Sequence, residues 1–165
     1  MSSFVRRRLF IAVAGCLCCA SVLAGQRLEG ALFPSPDLRI EGRWAAVRTG
    51  GRIDPALGSL IVGQTPPTEL RLAIPSSFLN KPVRIFMLLP SVTEGYSGTR
   101  GFEVEWTTQG VFRPGSLRPG ERVVLFEGVA SAQVVKDYVA YTLRVDGNYL
   151  LGPLRFDPVY EIEER

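Results

Sequence analysis

The chain contains no histidine. That excludes a Ser-His-Asp triad, a histidine metal site and a Cys/His zinc knuckle. Cysteine is nearly absent as well. The three thiols are Cys16, Cys18 and Cys19, all before residue 25. Lysine is scarce: Lys81 and Lys136 stand against 17 arginines, a bias that a GC-rich genome explains without any functional demand. Long apolar runs are missing. Residues 9–23 carry no charge, but 15 residues fall short of the roughly 20 that a membrane-spanning helix needs.

That uncharged stretch has the layout of an export signal. Arg6, Arg7 and Arg8 form a positive start, the apolar stretch follows, and Val22-Leu23-Ala24 supplies small residues before Gly25. The pattern predicts a secretory signal peptide over residues 1–24 and a single mature domain over 25–165. A second processing route competes, because Val13-Ala14-Gly15-Cys16 resembles a lipobox in which Cys16 is lipidated. Either way the protein is expected outside the cytoplasm: periplasmic or secreted, or lipid-anchored in the envelope through Cys16. Its membrane contact is then limited to the signal peptide or the lipid.

Removing the signal changes the electrostatics. The whole chain carries 19 basic and 16 acidic residues, but the first 24 residues hold three arginines and no acid. The mature chain therefore has 16 of each sign, and the basic isoelectric point belongs to the precursor. This leaves no case for nucleic-acid binding. It also leaves no disulfide in an oxidising compartment, so the core alone must hold the fold. At 141 residues that is feasible, since a domain of this size buries roughly 68% of its unfolded surface.

What the mature chain has in quantity is punctuation. Twelve prolines and sixteen glycines are spread along it, at intervals that suit short strands and interrupt helices. Period-two alternation lies between them. In residues 68–74, Leu70, Leu72 and Ile74 share one face. In 101–107, Phe102, Val104 and Trp106 oppose Glu103 and Glu105. In 37–44, Leu38, Ile40 and Trp44 alternate with charges. Residues 83–89 and 123–126 are apolar on both faces and read as central strands. Residues 138–151 read as a hairpin closed by Asp146-Gly147. Residues 154–156 and 159–162 read as edge pieces restricted by Pro153 and Pro158. Residues 131–139 also fit a helix behind a Ser131 cap. The segment Leu117-Arg-Pro-Gly-Glu-Arg-Val123 has the turn-then-strand lead-in of many sandwiches. The expected fold is all-β: a two-sheet immunoglobulin-like sandwich, or a small barrel, of seven to nine short strands.

Candidate chemistry is thin. Gly95-Tyr96-Ser97-Gly98-Thr99-Arg100-Gly101 approaches a nucleophile elbow, but Thr99 stands where the second glycine belongs and no histidine can act as base. It also lacks the Lys-Ser/Thr ending of a phosphate cradle. Tyr96, Ser97, Thr99 and Arg100 are better read as a partner-binding loop at a sheet end. Glu103 and Glu105 are paired carboxylates on one strand face, a spacing that suits a wet sheet more readily than a glycosidase. Asp146-Gly147-Asn148 lacks the further oxygen ligands of a calcium loop. Among the aromatics, Tyr96, Phe112 and Tyr149 lie near turns and are the candidates for exposure. No catalytic residue, cofactor or metal site is expected.

Two function classes follow. The first is a non-catalytic envelope module that binds another protein, in assembly of a surface structure or as an inhibitor or immunity factor. Its docking device is the loop above or an exposed strand edge, with residues 26–33 as one candidate strand. The second is a small-ligand or glycan-binding domain, or a hydrolase using carboxylates alone. It requires Glu103, Glu105, Arg100 and an exposed aromatic to converge.

Overall fold

A computed structural model describes residues 25–33, 45–46 and 60–165. The expected signal peptide, Cys16 and the alternating segment 37–44 lie outside the described residues. No α-helix occurs among the described residues, and no helix there is long and apolar enough to cross a membrane. The chain forms two antiparallel sheets that do not close into a barrel, which removes the barrel alternative.

Eleven strands are described: β1 Gln26–Leu28, β2 Gly30–Phe33, β3 Ala45–Ala46, β4 Leu60–Gln64, β5 Thr68–Ala73, β6 Pro82–Leu88, β7 Phe102–Thr108, β8 Gly115–Leu117, β9 Arg122–Val129, β10 Val134–Asp146 and β11 Val159–Glu164. The first sheet runs β1-β11-β6-β9. In the second, β10 is the spine: β5 and β4 pair along one side of it, with β2 and β3 outside them, and β7 then β8 lie on the other. The count exceeds nine because two stretches are split. At Glu29 the chain leaves β11 and crosses to pair with β5, so β1 and β2 are one strand shared between sheets. The Pro66-Pro67 pair separates β4 from β5. Prolines cannot donate to a ladder, and here three residues, 65–67, face only Ala140 and Tyr141. Thr65 repairs the gap: its N–H donates to the Tyr141 carbonyl, and its Oγ1 accepts from the Tyr141 N–H, both at 2.9 Å.

The alternation read from the sequence builds the core. Leu70 and Leu72 on β5, Phe102, Val104 and Trp106 on β7, and Val139, Leu143 and Val145 on β10 pack against Val83, Ile85 and Met87 on β6 and Ile162 on β11. Burying one such aliphatic or aromatic side chain contributes roughly 1.5–3 kcal/mol. Trp106 also finds a partner for its polar edge, donating from Nε1 to the Arg113 carbonyl at 2.8 Å.

Four sequence expectations are corrected. Residues 134–139 belong to β10, not to a helix, because β-branched Val134, Val135 and Val139 alternate against β5. The Asp146-Gly147 hairpin does not form. Asp146 Oδ1 accepts from the Asn148 N–H at 3.0 Å, a 3-10 turn follows over Gly147–Tyr149, and the chain crosses to another loop. Residues 123–126 are not central among the described strands: β9 ends the first sheet there, and a bulge opposite Ile85/Phe86 turns Leu125 into the core. Residues 159–162 are not an edge piece, since β11 lies between β1 and β6.

Among the described residues, the outer face of the first sheet is covered by charge rather than by another layer. Glu127 is flanked by Arg84 at 3.3 Å, Arg113 at 3.0 Å and Arg165 at 3.3 Å. The hydrogen bond from Arg84, together with these charges, holds its carboxyl below the usual value of 4.5. Arg122 lies 3.3 Å above the Phe86 ring and also pairs with Glu161 and Glu163. Phe86 is thus buried beneath a guanidinium, a cation–π arrangement.

Candidate functional site

One end of the sandwich is built by two loops, residues 89–101 after β6 and residues 147–158 before β11. They are laced together by backbone. Ser97 N–H donates to the Tyr149 carbonyl at 2.9 Å, Leu151 N–H to the Gly95 carbonyl at 2.9 Å, and Arg155 N–H to the Glu94 carbonyl at 3.1 Å. Gly95 permits this approach. Its φ is +82°, and a Cβ there would lie 2.1 Å from the Pro153 carbonyl oxygen.

Tyr96 is the strut of this end, not a contact residue. It is buried, in contrast to the sequence expectation, with its ring 5.5 Å from that of Phe102 and 6.0 Å from that of Tyr149. Its hydroxyl donates to the Arg100 carbonyl at 2.5 Å. Burial pushes its pKa up to about 12, with the Asp146 charge and Tyr149 adding to the effect. Ser97 is half-buried and leans on the Tyr149 carbonyl through Oγ at 3.3 Å. Thr99 and Arg100 are exposed. Phe112 was also expected to be exposed and is buried. The Asp137 carboxylate accepts from the Phe112 N–H at 2.8 Å, and Thr108 donates to the Phe112 carbonyl.

The same two loops carry Val92 and Leu151, which the sequence reading passed over, and Tyr149, which it put near solvent. Val92 is 83% exposed and Leu151 76%, and Tyr149 is partly exposed beside Tyr96. The available signal was their place among Pro90, Gly152 and Pro153, in turns where a strand's inward face no longer exists. Val92, Thr99, Arg100, Tyr149 and Leu151 thus extend from a braced pair of loops.

The outer face of the second sheet holds the paired glutamates. Glu103 meets Arg118 at 3.3 Å, and Glu105 meets Arg144 at 3.5 Å. Arg100, Glu103, Arg118 and Arg144 line an open groove of about 520 Å³ together with Thr99 and Leu60. Glu105 lines an adjoining one with Trp106. The expected convergence is therefore partial. The charged groups approach one another, but the two aromatics lining these grooves, Phe102 and Trp106, are both buried. A carboxylate pair that cleaves a glycosidic bond must flank that bond. Glu103 and Glu105 instead rise from one strand, each tied to an arginine.

The candidate docking strand, residues 26–33, forms β1 and β2 and is paired along one side in each sheet. No protein family, curated protein or solved structure matches the chain.

Proposed function

We propose that the protein is a non-catalytic, exported sandwich of the immunoglobulin-like kind that docks another envelope protein through the loop end formed by residues 89–101 and 147–158. The observation that carries this reading is the concentration of exposed Val92 and Leu151, with Tyr149, on two loops that hydrogen-bond one another. Apolar side chains on the surface mark interaction sites when they gather in one region. Loops already ordered before binding lose less entropy on association. Thr99 and Arg100 add a polar rim to the apolar centre, the usual anatomy of an interface. Export through residues 1–24 places this surface in the envelope, with lipidation at Cys16 as the anchored variant.

The test is co-purification from the native envelope under crosslinking, with a C-terminal tag. Wild type is expected to bring down one stoichiometric partner. The Val92→Glu/Leu151→Glu double variant should lose it while keeping its β-sheet circular dichroism, and Lys136→Glu on the second sheet should retain it. Equal capture by all three would refute the surface assignment.

A second reading rests on the arginine-lined groove of Arg100, Arg118 and Arg144, which suits an acidic small ligand or glycan. Retention of an acidic sugar, lost in Arg100→Ala, would favour it.

A further inference from the structure

A separate cleft opens where β1, the end of β6 and the lead-in to β11 meet. It measures about 380 Å³, and its polar lining is Arg27, Thr93, Glu94, Arg155 and Asp157. Leu89, Pro90, Val92 and Val159 supply apolar wall.

Two features of this lining have no counterpart among the described residues. Thr93 is only 7% exposed, and its Oγ1 has no hydrogen-bond partner among the described residues. Buried hydroxyls nearly always have one, and each exception calls for an explanation. In addition, Arg27 and Asp157 line the same cleft, yet neither forms a salt bridge among the described residues, with each other or with any other group. The remaining pair, Arg155 and Glu94, is 3.6 Å apart and largely exposed, so solvent screens it and it yields readily to a competitor.

We infer that this cleft binds a small zwitterion with an apolar body, an α-amino acid or a short peptide. The ligand carboxylate is taken by Arg27 and its ammonium by Asp157. The Thr93 hydroxyl completes the polar contacts, and the ligand side chain lies on Val92, Pro90 and Val159. A guanidinium suits a carboxylate because its planar N–H groups can bind both oxygens at once. An anion alone would leave Asp157 opposing it, and a cation alone would meet Arg27. A ligand carrying both charges satisfies both. The cleft volume lies within the range of small-molecule sites and suits a ligand of this size. The cleft shares Val92 with the proposed docking surface, but the inference rests on Arg27, Thr93 and Asp157, and small-ligand titration reads it apart from partner capture.

The experiment is isothermal titration of the mature chain with L-leucine, the dipeptide Leu-Leu, N-acetyl-leucine and leucinamide. Leucine or Leu-Leu is expected to bind, and the tighter of the two tells whether the charges of the site match an amino acid or a peptide. N-acetyl-leucine lacks the ammonium and leucinamide lacks the carboxylate, so each should bind at least tenfold more weakly. Arg27→Ala and Asp157→Asn should each weaken leucine or Leu-Leu at least tenfold, and Thr93→Val should weaken it several-fold without loss of fold. Failure of both zwitterions to bind, or equal binding of the two singly charged derivatives, would overturn the inference.

Discussion

The hydroxyls of Tyr141 and Tyr160 meet 3.4 Å apart inside the core, joining β10 of the second sheet to β11 of the first. Both residues are buried, and Phe156 closes over Tyr141 edge-on at 5.1 Å. Gly30 leaves the room that the Tyr160 ring occupies, since a Cβ there would come within 2.7 Å of it. A polar contact thus lies in the middle of an otherwise apolar interface between sheets.

Removing one hydroxyl strands the other without its partner. Tyr141→Phe and Tyr160→Phe are each expected to cost about 1–2 kcal/mol, and the double variant no more than either single one. Denaturant unfolding of the four-member cycle measures this. The pair also sets an alkaline limit. Burial raises the Tyr141 pKa to about 12 and that of Tyr160 well above 10, so the folded state retains protons that the unfolded state gives up. The stabilisation is full below pH 10 and is lost as pH rises above it. The double variant should show a flatter stability profile between pH 10 and 12.

Gly95 governs the loop end proposed for docking. Gly95→Ala places a methyl group against the Pro153 carbonyl at a positive φ. We expect a loss of about 2 kcal/mol and of partner capture together. Amide exchange should show reduced protection at Ser97, Leu151 and Arg155, whose N–H groups bridge the loops, while β7 and β10 remain protected.

Much of the fold was legible because period-two alternation is a direct record of a sheet with one wet face. β5 and β7 fall where Leu70-Leu72 and Phe102-Val104-Trp106 put them. What failed was non-local. Asp146-Gly147 has hairpin chemistry, but the Asp146 carboxylate caps a 3-10 turn and the following chain pairs with residues 94–97, far back in the sequence. Val123, Val124 and Phe126 read as central because apolar composition does not reveal which strand ends a sheet. The loop at Tyr96, Ser97, Thr99 and Arg100 stood out by its residue types. Their orientation did not: of the three aromatics expected near solvent, Tyr96 is the strut and Phe112 is buried, while Tyr149 is exposed and Val92 and Leu151 face outward with it.

Acid should loosen the charged face of the first sheet. The Glu127 carboxyl is held below 4.5 in the folded state by Arg84, Arg165 and Arg113. Its stabilising contribution is present above that value and disappears as pH falls through the folded pKa. Glu127→Gln should therefore lower stability at pH 7 and narrow its gap to wild type as pH drops below 4.5, as measured by thermal unfolding across pH.

Thr93 gives a prediction of opposite sign. Thr93→Val keeps the shape and removes a buried hydroxyl that has no partner among the described residues. The variant is expected to gain about 1 kcal/mol, visible as a higher melting temperature in the absence of ligand.

The docking claim is tested most directly by placing a photo-crosslinking amino acid at position 92, 151 or 136 of the full precursor and irradiating living cells. The account predicts the same discrete protein adduct from positions 92 and 151, and none from 136. Adducts of equal yield from all three positions, or from 136 alone, would contradict it.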